Sequence, residues 1–200
     1  MNANPILTKG HKILLAKAAL LPPETAMALE KHALKLTDAN LYLRADVTGK
    51  AGILKLIDET TIKQVGITNI DGNKLPKFVN QVVEKLRAGY ATHATETDPS
   101  KLKYTTKYSA VDTAILNSVF TIKLNEAPVL EVPTARLFSE EVSRGAIGSG
   151  YDAYIIDNPP VLIEEMKISM EIEFPKTGSV DSGAKHFIEL FLQGQRTAQR

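Results

Sequence analysis

The stretch Gly52-Ile-Leu-Lys-Leu-Ile-Asp-Glu-Thr-Thr-Ile-Lys-Gln-Val-Gly-Ile-Thr-Asn-Ile-Asp-Gly-Asn-Lys-Leu-Pro-Lys-Phe-Val-Asn-Gln-Val-Val-Glu-Lys-Leu-Arg-Ala-Gly89 decides how the chain is read. Ala51 to Ile57 reads as a short helix or buried turn. Asp58-Glu59-Thr60-Thr61 reads as a cap leading into one more turn, Ile62 to Val65. Gly66 suits a left-handed helix stop. After the break at Asp71-Gly72-Asn73, the positions Leu75, Val79, Val82 and Leu86 fall on one helical stripe, with Pro76 in the first turn and Gly89 at the end.

Working outward toward the N-terminus, His11 to Leu21 reads as a short helix, stopped by Pro22-Pro23. Ala26, Leu29, Ala33 and Leu36 recur at helical spacing through Leu36. Thr37-Asp38-Ala39-Asn40 is a breaker cluster. Leu41 to Val47 alternates as a strand would, but a lone strand inside a helical run has no partner, so a short helical turn is preferred there. Met1 to Gly10 reads as an arm. The expected unit is a five-helix all-α bundle over residues 1–90. Its core would be Ile53, Leu56, Ile62, Val65, Ile67, Val79, Val82 and Leu86, each contributing about 1.5–3 kcal/mol when buried.

Toward the C-terminus the small, polar stretch Tyr90 to Ser100 reads as a linker, assigned to residues 91–100. The period then changes from 3.6 to 2. Leu102 to Tyr108 and Phe120 to Asn125 alternate. Val161 to Phe174 sets Leu162, Met166, Ile168, Met170, Ile172 and Phe174 against Glu165, Lys167, Ser169, Glu171 and Glu173. Its glutamates are expected opposite Lys103 and Lys107. Tyr151 to Ile156 is a further strand candidate, and so is Phe187 to Leu192, which is apolar on both faces and also suits a helix. Residues 101–200 are therefore expected to form an antiparallel β-sandwich or barrel-like domain, making the whole chain α+β.

The pattern Val47-Thr-Gly49, Ile53-Leu54-Lys-Leu56, Asp58-Glu59, then Ile62-Lys63-Gln-Val65-Gly66-Ile67 and a terminal amphipathic helix resembles a sterile alpha motif (SAM) domain. The likeness covers about residues 10 to 90. It departs from the family in having no Trp in the first helix and Thr48 in place of the usual Asp. The resemblance implies protein–protein association, often head to tail, between an acidic middle surface and the basic start of the last helix. Here the acidic side would hold Asp46, Asp58 and Glu59, with Asp38 nearby, and the basic side Lys63, Lys74 and Lys77. Cations at a helix N-terminus oppose the helix dipole, so Lys74 and Lys77 would not serve helix stability. A heterologous contact of this kind builds rings or filaments.

Composition bounds the other classes. The formal net charge is +1 over 200 residues, which gives no global steering toward nucleic acid or anionic membrane. There is no cysteine, which excludes disulfides and thiolate metal sites. The apolar run Ile13 to Leu21 is too short to span a bilayer. His11, His32, His93 and His186 are dispersed without metal-ligand spacing. Glu164 and Glu165, as strand neighbours, point to opposite faces and cannot work as an acid/base pair. Glu164 faces the core and is expected to need a cationic partner. Gly145 to Gly150 lacks the strand-to-helix setting of a phosphate cradle. No catalytic constellation, cofactor or metal is expected. The expectation is a non-enzymatic scaffold that self-associates or binds a protein partner, cytoplasmic or within an assembled particle or filament. The alternative is an RNA- or DNA-binding module using Lys63, Lys74, Lys77, Lys85 and Arg87 on phosphates.

Overall fold

The computed structural model describes residues 8–139 and 153–199. Glu140, Glu141 and the Gly145 to Gly150 loop, like most of the N-terminal arm, lie outside the described residues. Two antiparallel sheets form a β-sandwich. One is five-stranded, in the order β1-β9-β3-β6, with β7 also on β3; the other runs β2-β8-β4-β5. The strands are β1 (Leu34–Asp46), β2 (Ile53–Lys55), β3 (Gln81–His93), β4 (Val119–Leu124), β5 (Ala127–Pro133), β6 (Tyr154–Ile155), β7 (Val161–Leu162), β8 (Ile168–Glu173) and β9 (Lys185–Gln199). Among the described residues three short α-helices accompany them: α1 (Lys9–Ala16), α2 (Pro23–Glu30) and α3 (Thr113–Leu116).

The five-helix SAM-like bundle is not present, and the α+β reading is corrected to a predominantly β fold. Two short helices do form before residue 31, α2 with Pro23 in its first turn. Beyond them the stretch read as helical becomes strand and loop. Residues 41–47, read as a helical turn, belong with the exception of Val47 to a 13-residue strand. The partner that such a strand needs is β9, which runs antiparallel to β1 from Leu34↔Gln199 to Asp46↔Phe187. The stretch read as the last helix becomes β3, paired with β9 along its other side from Gln81↔Arg196 to His93↔Lys185. A long central strand from the end of the chain thus converts both segments.

The side chains agree with this sheet. Leu41, Leu43, Leu86, Ala88, Tyr90, Ile188, Leu190 and Leu192 turn inward and are buried. They share one core with Phe120 and Ile122 of β4 and Met170 and Ile172 of β8. Of the expected helical core, Val82 and Leu86 are buried, but Ile53, Ile62 and Val65 are among the most exposed apolar residues. Alternation at Phe120 to Asn125 corresponds to β4, and Val161 to Phe174 is split into β7 and β8. The β8 carboxylate Glu171 pairs with Lys123 of β4 at 2.7 Å, rather than with Lys103 or Lys107.

Candidate protein-contact loop and edge

The connection from β2 to β3 carries five of the anticipated site residues. Asp58, Glu59 and Lys63 are exposed there, together with Lys74 and Lys77 further along. Asp46 is separate, at the end of β1, where its carboxylate accepts the Thr48 N–H at 2.8 Å. None of these six residues forms an ion pair with another of the six. Lys77 binds Glu24 of α2 at 2.8 Å and lies over the Phe78 ring. That bond and the Glu24 charge raise the Lys77 pKa, and the same bond with the Lys77 charge lowers that of Glu24. Lys74 and Lys77 precede a strand and do not open a helix of their own, which corrects the placement expected from the sequence.

Short polar links give the loop a defined shape. The Asp58 carboxylate accepts from the Thr60 N–H at 2.8 Å and the Thr60 hydroxyl at 2.7 Å. These bonds hold its pKa below the usual aspartate value. The Gly72 N–H donates to the Thr61 carbonyl at 2.7 Å. Gly66 adopts φ +84°, a conformation that L side chains rarely take, so the turn favours glycine. Its N–H meets the Tyr42 hydroxyl at 3.2 Å and its carbonyl accepts from Arg44 at 2.7 Å. Arg44 also binds Glu189 of β9 at 2.6 Å and lies over the Tyr104 ring at 4.8 Å.

Residues 64–69 then run along the free side of β1. The Arg44 N–H donates to the Ile67 carbonyl at 2.8 Å, and the Asn69 N–H to the Tyr42 carbonyl at 3.3 Å. The Asn69 side chain accepts from the Tyr42 N–H and donates to the Asn40 carbonyl. The loop thereby covers the β1 edge from residue 40 to residue 44 and leaves the part before it open. At its tip Ile62 is 78% exposed and Val65 90% exposed. Both aliphatic side chains stand in water on a loop tied to the sheet by these bonds.

Sequence reasoning missed Ile62 and Val65 as surface residues because it placed them in a helical core. It also missed Tyr42 and Arg44 as loop anchors. The strand alternation from Leu41 to Val47 was the available signal, since it puts Tyr42 and Arg44 together on the face opposite the core. No family model matches the chain, and no curated protein matches it in sequence.

Two buried polar clusters lie elsewhere. Glu164, expected to meet a cation, instead accepts from neutral donors: the Thr25 hydroxyl, the Phe78 N–H and, at 3.4 Å, the Asn80 amide. Asn80 in turn accepts the Glu164 N–H at 3.0 Å. His186 is hydrogen-bonded through Nδ1 to the Tyr90 hydroxyl, and its Nε2 lies 3.8 Å from Asp181. Burial and the Asp112 charge push the Tyr90 pKa up to about 12. Among the described residues no group of three or more His, Cys, Asp or Glu side chains is arranged to hold a metal ion. No helix among them is long and apolar enough to cross a membrane.

Proposed function

We propose that this chain is a non-enzymatic assembly subunit that associates with further protein chains, its own copies first among them. The observation that carries this reading is the anchored loop whose Ile62 and Val65 are held out in water. Leaving two large aliphatic side chains hydrated costs about 1.5–3 kcal/mol each relative to burial, a gain open to a partner that covers them. Exposed Asp58, Glu59 and Lys63 flank the pair and would form a polar rim to such a contact.

The nucleic-acid alternative relies on a basic cluster at residues 63–87. Lys77 is already engaged with Glu24, and Lys63 lies on the loop while Lys85 and Arg87 lie on the five-stranded sheet. Protein association is therefore the favoured reading. The test is sedimentation of the full chain over a wide concentration range, for wild type and for Ile62→Asp combined with Val65→Asp. Growth of molar mass with concentration, weakened at least tenfold by the double change, supports the reading. A wild type that stays monomeric throughout overturns self-association. Binding of single-stranded or duplex nucleic acid that falls steeply with salt would favour the alternative.

A further inference from the structure

The open part of β1 carries the most specific unused chemistry on the molecule. The N–H groups of Tyr42 and Arg44 point away from β9, toward Asn69 and Ile67. By the two-residue strand repeat, the N–H and C=O of Leu36 and Asp38 point the same way. No hydrogen bond engages them among the described residues. Leu34 has the same orientation but is only 3% exposed, so its backbone is shielded. The accessible unpaired edge is thus centred on Thr37.

Among the described residues the other edges are short, interrupted or covered. β5 carries Pro128 and Pro133, and its pairing with β4 is shifted between Ile122 and Lys123. β2 is only three residues long. The side of β3 away from β9 is occupied by β7, β6 and the bridge from Tyr90 to Thr105. Proteins commonly protect sheet edges with short strands, prolines, bulges or covering loops. In β1 there is no proline and no register shift, and the covering loop stops at residue 40.

We infer that this edge pairs with the same edge of a second copy of the chain, antiparallel, with Thr37 on the two-fold axis. The inference rests on the self-association reading above and adds to it a contact separate from the Ile62 and Val65 tip. In an antiparallel pair, outward-pointing residues face outward-pointing residues. With Thr37 on the axis, Leu36 of each copy faces Asp38 of the other, and each pair exchanges two N–H···O bonds. Every accessible open group between residues 36 and 38 is then used. Centring on Leu36 would set Asp38 against the shielded Leu34. Centring on Lys35 or Asp38 would place like charges directly opposite each other, which disfavours pairing. In the Thr37 register Lys35 faces Ala39, and the threonines face each other. The loop covering residues 40–44 then lies opposite residues 30–34 of the other copy. There the chain leaves the edge at His32, whose φ is +54°. The result is a sheet continuous across two copies.

The absence of cysteine from the chain makes the register directly testable. In a non-hydrogen-bonded antiparallel pair the facing Cα atoms are about 4.5 Å apart, within reach of a disulfide. Full-length Thr37→Cys should therefore give a covalent dimer under mild oxidation. In the same register the two copies of residue 35 are about 13 Å apart along the strands, so Lys35→Cys should remain uncrosslinked at the same concentration. Thr37→Asp, which sets like charges on the axis, should weaken the wild-type association at least tenfold while leaving the circular dichroism spectrum unchanged. Equal crosslinking of both cysteine variants overturns the inference. So does an associating wild type in which Thr37→Cys fails to crosslink or Thr37→Asp has no effect. In that event self-association itself stands. A wild type that is monomeric at every concentration overturns both.

Discussion

The Glu164 cluster gives a quantitative test of how the helices are fastened to the sheet. Glu164 is 2% exposed. One carboxylate oxygen serves the Thr25 hydroxyl of α2 and the Asn80 amide, and the other serves the Phe78 N–H. Phe78 has φ +63°, an unfavourable region for a bulky residue, so its N–H is held in place by that carboxylate. Glu164→Leu removes the acceptor and leaves three donors buried. At about 1–3 kcal/mol for each unsatisfied group, partly relieved by local relaxation and by loss of the buried charge, the expected destabilisation is about 3–6 kcal/mol. Glu164→Gln keeps one oxygen but turns an amide NH2 toward one donor, so about 1.5–3 kcal/mol is expected. Urea unfolding followed by circular dichroism measures both, with a lower midpoint at unchanged slope. Exchange of the Phe78 amide with deuterium should accelerate in both variants. Stabilities of both variants within about 0.5 kcal/mol of wild type would refute the account of Glu164 as the acceptor joining α2 to β3 and β7.

Two further outcomes follow from the site and its surroundings. Arg44→Ala removes the cation beside the nearly buried Glu189 and the donor to the Gly66 carbonyl. It should cost about 2–4 kcal/mol, at the low end for a broken buried ion pair because Arg44 is part-exposed, and proteolytic cleavage near residues 62–67 should quicken. Burial raises the Tyr90 and Tyr104 pKa values from 10.0 to about 12, with Asp112 adding to the effect at Tyr90. Between these pH values the unfolded chain loses phenolic protons that the folded chain retains. Stability should therefore be constant with respect to these groups below about pH 10 and fall as the pH rises toward 12. Ultraviolet titration of tyrosine ionisation should show a late-ionising fraction that shrinks in Tyr90→Phe. Ordinary ionisation of all tyrosines near pH 10 in the folded protein would contradict this.

The strands that were legible and those that were not differ in where their evidence lies. In β4 and β8 the apolar–polar alternation is regular; β4 joins β5 by a tight turn, and β8 stays legible although its partners β2 and β4 lie far back in the sequence. In β1 the alternation from Leu41 to Val47 was equally visible, but the partner, β9, begins only at Lys185. Local reasoning weighed a strand against the absence of a nearby partner, and a long-range pair is invisible to that comparison. β3 misled for a different reason. Its register shifts between Val83 and Lys85, so Val82 and Val83 are both buried before Leu86, Ala88 and Tyr90 resume the alternation. A bulge of this kind breaks the two-residue repeat. It leaves Val79, Val82 and Leu86 at spacings that mimic a helical stripe. The β-branched pair Val82-Val83 was the local signal against a helix.

The same displacement of meaning accounts for the candidate site. Once β1 and β3 are strands, the segment between them no longer has helices to cap, and the acidic and glycine residues read as helix punctuation become the fastenings of a surface loop. Asp58 keeps a capping role, but on a turn, and Gly66 keeps its left-handed backbone, but against Tyr42 and Arg44. The apolar residues change most, because Ile62 and Val65 lose the bundle core that would have buried them. Their exposure and the open edge at Thr37 lie along the same margin of the sandwich, since residues 64–69 cover β1 up to the point where its backbone becomes unpaired. An edge contact centred on Thr37 is isologous and closes at two copies, whereas a tip that docks elsewhere on a partner is heterologous and continues. A chain with both contacts would build beyond a dimer, and loss of the tip alone, through Ile62→Asp with Val65→Asp, should stop growth at the dimer that Thr37→Cys can trap.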